Sequence, residues 1–144
     1  MHIVHTRQGL PDGESPLTAD SGLAVTGFFF EISDEDNAAL QPLVDSLVDI
    51  VASDSSVPMI DSAFKISDLI TEVAGSSVWA TYPGSLTTPT CNEVVHWIVF
   101  MTPLKISQAQ LEKFRMLDDS HDENIVDNFR PVQPLNGRTV TFYS

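Results

Sequence analysis

The nine residues EVVHWIVFM, at positions 93–101, have the β-branched and aromatic content of a sheet interior and read as a strand. Working outward, GLAVTGFFFEI (22–32) is a second continuous apolar run, most economically a buried strand. VWATYPGSLTTPTC (78–91) opens like a strand and turns at Pro83-Gly84, and RTVTFYS ends the chain as a strand. Met1-His2-Ile3-Val4-His5 reads as the middle of one more, so the chain is expected to enter its fold late. Residues 7–21, RQGLPDGESPLTADS, are rich in Gly, Pro, Ser and acid and read as an exposed loop.

Helical spacing is sparser. Leu40, Leu43, Val44, Leu47, Ile50 and Val51 predict a helix over about 40–52 with an apolar stripe that serves core packing. Ser33-Asp34-Glu35-Asp36 supplies its acidic start signals, and Pro42 fits its first turn. Ser107-Gln108-Ala109-Gln110 is a capping box, opening a helix through about Leu117 on Leu111, Phe114 and Leu117. Residues 53–77 are mixed, with SSVPMIDSAFKISDLI irregular apart from a short turn at Ile66–Ile70. Asn128–Arg138 is punctuated by Pro, Asn and Gly. Strands and short helices interleave without regular βαβ alternation. The expected class is therefore α+β: a large mixed, mostly antiparallel twisted sheet with peripheral short helices.

A length of 144 residues fits one domain, and 42% hydrophobic with 19% charged residues is a globular balance. Twenty acids against seven bases give a net charge of −13. No Lys/Arg cluster could track phosphates or dock on anionic lipid, so nucleic-acid and membrane-surface binding are excluded. No apolar run is long enough to span a membrane, and residues 1–20 do not form a signal peptide. No repeat, GxGxxG, P-loop, GxSxG or CxxC is present.

His2 and His5 lie three apart, which on a strand sends them to opposite faces, so only one could serve a given site. His96, between Val95 and Trp97, and His121, in an acidic loop, lack metal-ligand spacing to a second donor and read as structural. Asp118, Asp119, Asp122 and Glu123 lack the ligand register and central Gly of a calcium loop and read as a solvated face. Cys91, the single cysteine, is by itself either an ordinary buried thiol or a cysteine whose partner lies outside the chain.

Tyr82-Pro83-Gly84-Ser85-Leu86-Thr87-Thr88-Pro89 closely resembles the active-site loop of α-class carbonic anhydrases, the YPGSLTTPP-type segment. Other matches follow in the family's order. His2-Ile3-Val4-His5 resembles the ELHLVH strand with the third zinc histidine, and Gly22-Leu23-Ala24-Val25 resembles GLAVLG. Leu40-Gln41 through Leu47 resembles the next helix, and Glu93-Val94-Val95-His96-Trp97 the strand after the loop. Phe114-Arg115-Met116-Leu117 resembles KFRKL, and Asn128-Phe129-Arg130-Pro131-Val132-Gln133-Pro134-Leu135 resembles NWRPAQPL. Together they cover essentially the whole chain colinearly.

The resemblance implies a zinc lyase that reversibly hydrates CO2 to bicarbonate and a proton. In such enzymes three neutral imidazoles hold Zn2+, which lowers the pKa of a bound water from about 15.7 to about 7. By the same resemblance His2 is the third zinc ligand, and Thr87 orients the zinc-bound hydroxide while Thr88 lines the cavity. Val4, Leu23, Val25, Leu86, Val95 and Trp97 form the wall that faces CO2. His5 points away from zinc, and Arg130 and Tyr82 support the loop. Thr6 and Phe129 replace the family's usual Trp, and Trp79 its common Tyr. The family's H-x-H ligand pair has no match here, nor have its two supporting glutamates and its proton-shuttle region, all of which fall upstream of Met1. The expectation is a single, N-terminally incomplete domain over 1–144, inactive by itself. The alternative is a noncatalytic carbonic-anhydrase-like binding fragment or truncated product. TTPTC resembles secreted and membrane-anchored members, which implies a disulfide from Cys91 to a missing N-terminal cysteine and an extracellular or anchored parent. Oligomeric state stays open.

Overall fold

Five strands, β1 (His2–Thr6), β2 (Leu23–Ser33), β3 (Trp79–Gly84), β4 (Val95–Ser107) and β5 (Thr141–Tyr143), form one sheet in the order β1-β2-β4-β3-β5. The structure is a computed structural model and describes residues 1–51, 64–75, 78–119, 121 and 123–144. The pairings β1/β2, β3/β4 and β3/β5 are antiparallel. β2 and β4 run the same way: the Leu23 N–H donates to Val94 O at 3.1 Å, and further along both strands Phe28 stacks on Phe100 with ring centroids 4.9 Å apart. The sheet is thus mixed and mostly antiparallel, as expected. The chain divides into two compact units, one of residues 1–29, 73–103 and 129–144, the other of residues 30–72 and 104–128.

In the first unit, alternation along β2 and β4 buries Leu23, Val25, Val95 and Trp97 as one cluster. The expected turn at Pro83-Gly84 is instead strand, since Pro83 faces His96 and Gly84 faces Val95 in the ladder. The chain reverses later, where the Cys91 N–H closes on Thr88 O at 2.8 Å. β4 also passes Met101, the expected end, and continues through Pro103 to Ser107. A proline removes one donor and leaves the other ladder groups intact.

The second unit holds the outer half of β2, which is not buried throughout as expected: Phe29, the last residue before it, and Ile32 are 52% and 54% exposed. The helix expected over 40–52 is α1 (Gln41–Ser46) followed by a 3-10 turn (Leu47–Ile50), with Pro42 in the first turn. The acidic start signals do not cap it. Asn37 Oδ1 accepts from the Ala39 and Leu40 N–H groups, while Asp36 takes the Ser107 hydroxyl. The short turn expected at Ile66–Ile70 is a nine-residue helix, α2 (Ile66–Ala74), because Leu69 and Val73, one turn apart, are both buried. Residues 53–63, 76 and 77 of the expected mixed stretch lie outside the described residues, as do Ser120 and Asp122 of the acidic loop.

The capping box opens α3 (Gln108–Arg115), shorter than expected at its C-terminal end. Gln110 is 2% exposed and does more than cap. Its Oε1 accepts the Asn37 N–H at 2.9 Å, and its Nε2 donates to Asn37 O at 3.0 Å and Gln41 Oε1 at 2.7 Å. Gln110→Ala removes the partners of partly buried backbone groups and should lower the unfolding free energy by about 1–3 kcal/mol in a urea titration. Glu112→Ala, which breaks only exposed contacts with Arg115 and Gln108, should cost at most about 0.5 kcal/mol. Equal losses would show that Gln110 is no more than a surface cap.

Candidate functional site

Residues directly opposite in a ladder share a face. His2 faces Gly27 and Val4 faces Val25 across β1/β2; Tyr82 faces Trp97 and Gly84 faces Val95 across β3/β4. Since Leu23, Val25, Val95 and Trp97 are one buried cluster, all of these residues lie on one side of the sheet. His5, three residues from His2 on the same strand, falls on the other side, as the period of two requires. His96 also lies there, its Nε2 2.8 Å from Thr81 Oγ1.

The loop after β3 is fixed by what surrounds it. A Cβ built on Gly84 would stand 2.7 Å from Trp97 Cδ1, so the backbone can lie against the indole only without a side chain. Trp97 Nε1–H then donates to Ser85 O at 3.0 Å. Arg130 Nη1 donates to Ser85 Oγ and to Leu86 O, and the Leu86 N–H donates to Asn92 O at 3.0 Å. Asn92 Nδ2 donates to Leu17 O at 2.8 Å. Cys91, in the left-handed region at φ 58°, carries a free, partly buried thiol.

These elements border a cleft of about 790 Å³, and His2, Gly27, Tyr82, Ser85, Thr87 and Trp97 are among its lining residues. The structure therefore brings His2 and Thr87 to one opening. It does not bring the whole expected apolar wall to that surface: Trp97 lines the cleft, whereas Leu23, Val25 and Val95 lie buried beneath, with Leu86 packed on them. Val4 is 56% exposed, and Thr88 is exposed at the reversal outside the cleft's described lining.

The His2 imidazole meets the Trp97 ring edge-on, centroids 4.8 Å apart. Partial burial pushes its pKa below the ordinary histidine value, which favours the neutral form. Burial pushes the Tyr82 phenol up, with Arg138 pulling it back. Sequence reasoning missed Arg138, which lines the same cleft and donates to Pro83 O at 3.1 Å and Pro134 O at 2.9 Å. An arginine inside a Pro/Asn/Gly-punctuated segment was the available signal. Among the described residues no three His, Cys, Asp or Glu side chains converge. One imidazole does not fit the three-ligand donor set that catalytic zinc uses.

Over residues 1–144 the chain matches the family model described as eukaryotic-type carbonic anhydrase. It is similar to carbonic anhydrase 7 of Mus musculus, 40% identical over 146 residues that cover 97% of this chain and 53% of that protein. It is similar also to the mitochondrial carbonic anhydrase 5A of Rattus norvegicus, 41% identical over 97% of this chain and 46% of that protein. Carbonic anhydrase 4 of Rattus norvegicus is 36% identical, again over 97% and 46%. The chain spans about half the length of these relatives.

Because the folded state holds the Tyr82 proton more tightly than the unfolded chain does, the unfolded chain gains stability as pH rises past about 10. Stability from this group is complete below that pH and is lost above it. Tyr82→Phe should flatten the fall in melting temperature between about pH 9 and about pH 11. An identical alkaline decline in both proteins would assign it to other groups.

Proposed function

The chain belongs to the eukaryotic-type carbonic anhydrase family, and on that premise we propose that it is part of a single zinc-dependent domain that interconverts CO2 and bicarbonate with release of a proton. The observation that carries the reading is the meeting of His2 and Thr87 at one cleft over an apolar core. His2 is one zinc ligand in this reading, and the family resemblance implies that the other imidazoles lie outside these residues. Zinc, when bound, makes hydroxide available at neutral pH.

The roles of the chain's own residues are those the family resemblance implies, and their chemistry suits them. A threonine hydroxyl has one proton and two lone pairs. In the metal-loaded domain Thr87 Oγ1 would accept a hydrogen bond from the nucleophile and donate its own proton elsewhere, which would turn a nucleophile lone pair toward the substrate. Trp97, over Leu23, Val25 and Val95, with Leu86, Val4 and Thr88 at the margins, offers CO2 an apolar surface. Apolar side chains compete for none of its oxygen lone pairs. Arg130 and Tyr82 support the loop and do not react.

An extracellular or membrane-anchored setting, with Cys91 in a disulfide to a cysteine outside these residues, belongs to the same reading. Its support is the TTPTC resemblance. No described helix is long and apolar enough to cross a membrane. The second reading, a noncatalytic carbonic-anhydrase-like binding fragment, is favoured by one observation, the single imidazole facing the cleft.

The test is CO2 hydration by stopped flow, for the 144 residues alone and for the domain completed with its H-x-H strand. The 144 residues should hydrate CO2 no faster than free zinc, and the completed domain should be active. In the latter, Thr87→Ala should keep its zinc and lose about 100-fold in turnover, whereas His2→Ala should lose zinc. An inactive completed domain that holds zinc would favour the binding reading. Equal loss of zinc and turnover in Thr87→Ala would make Thr87 structural.

A further inference from the structure

Thr87 is exposed, so its reach toward His2 depends on the residues before it. Ser85 is held there from two sides. Its carbonyl accepts Trp97 Nε1–H at 3.0 Å, and its hydroxyl accepts from Arg130 Nη1. The one hydroxyl proton goes to Leu86 O at 2.9 Å, so only lone pairs face the guanidinium. Arginine does not deprotonate, which keeps the direction of that bond the same at every working pH. Arg130 also reaches Leu86 O at 3.4 Å, one residue from Thr87. The same indole that takes Ser85 O packs edge-on against His2 at 4.8 Å. One ring thus sets the heights of both His2 and the loop above the sheet.

We propose that Arg130 and Trp97 are positioning residues that clamp Ser85 from its hydroxyl and its carbonyl, and so hold the Thr87 hydroxyl at a fixed reach from His2. This rests on the proposed function, in which that reach matters to turnover. Arg130 touches no substrate in this arrangement; it acts through Ser85. A purely structural arginine would lower stability and leave the folded fraction fully active, whereas a positioning arginine lowers kcat in protein that is folded and metal-loaded.

The experiment measures kcat, KM, zinc content and melting temperature in the completed domain for the original protein, Arg130→Ala, Arg130→Lys and Trp97→Phe. Each is assayed with and without dilute guanidinium. Arg130→Ala should lose roughly 10- to 100-fold in kcat with unchanged zinc. Its KM should stay within about twofold, and guanidinium should restore part of the rate. Trp97→Phe keeps a ring against His2 but loses the N–H, and should lower kcat without lowering zinc content. Arg130→Lys should fall between. Unchanged kcat with a lower melting temperature, or a rise in KM alone, would overturn the proposal. If the unsubstituted domain is inactive, the functional reading has failed, and the clamp is judged on the 144-residue chain by amide exchange at Leu86, whose N–H bonds Asn92 O. Exchange faster by about tenfold in Arg130→Ala and Trp97→Phe sustains the clamp; unchanged exchange in both overturns it.

Discussion

Trp97 fills the space that a side chain at position 84 would need, and the geometry of the site follows from that exclusion. The ladder opposes Gly84 to Val95 and Tyr82 to Trp97, so the backbone at 84 must lie along the edge of the indole. Only glycine permits that approach. Once the backbone is there, Ser85 O is within hydrogen-bond reach of Nε1, and the loop leaves the sheet in a fixed direction. Tyr82, stacked near the same ring at a centroid distance of 6.4 Å, completes the packing on that face. A buried indole N–H needs an acceptor, and a loop carbonyl leaving a sheet needs a donor. Each satisfies the other.

The second unit uses a buried amide to the same end. Gln110 has two acceptor and two donor capacities, and Asn37, Gln41 and Ser107 use them. A sequence pattern announces the capping box because its spacing is local. The long-range half of the same side chain's work has no local signature, since Asn37 is 73 positions away. The acidic run at 34–36 shows the converse. Its composition is that of a helix start, yet α1 has no side-chain cap: Asn37 holds the turn before it, and Asp36 bonds Ser107 instead. Local propensity loses when a tertiary partner offers a better bond.

What was legible followed the same division. Continuous apolar, β-branched and aromatic runs over 22–32 and 93–101 marked both of these strands, because that content suits a sheet interior. The extension of β4 through Pro103 was hidden, since a proline reads as a stop whether or not its missing N–H is needed there. α2 was hidden by Ser, Asp and Thr between its apolar residues, though Leu69 and Val73 had the right spacing. At the site, the separation of His2 from His5 could be derived from the strand period alone. The convergence of His2 and Thr87, 85 positions apart, could not; it entered as a family resemblance, and the cleft places both side chains at one opening. Arg138 had no motif to betray it, because its partners are the carbonyls of Pro83 and Pro134.

The sheet order restricts where further donors for a metal at His2 could stand. On the face that carries His2, β2 presents Leu23, Val25 and Gly27, and β4 presents Val95, Trp97 and Val99. β3 adds Ala80, Tyr82 and Gly84 to that face. None of these nine supplies an imidazole, thiolate or carboxylate. His5 and His96 are on the opposite face. β1 ends the sheet order, so one of its sides carries no described strand. A strand laid along that side would stand about 5 Å from β1, and two histidines spaced i and i+2 on it would share a face. That is the H-x-H spacing, and in the register that turns them to this face both imidazoles would stand on the same side as His2. The strand period that bars His5 from helping His2 is thus the property that would let an H-x-H strand complete the set.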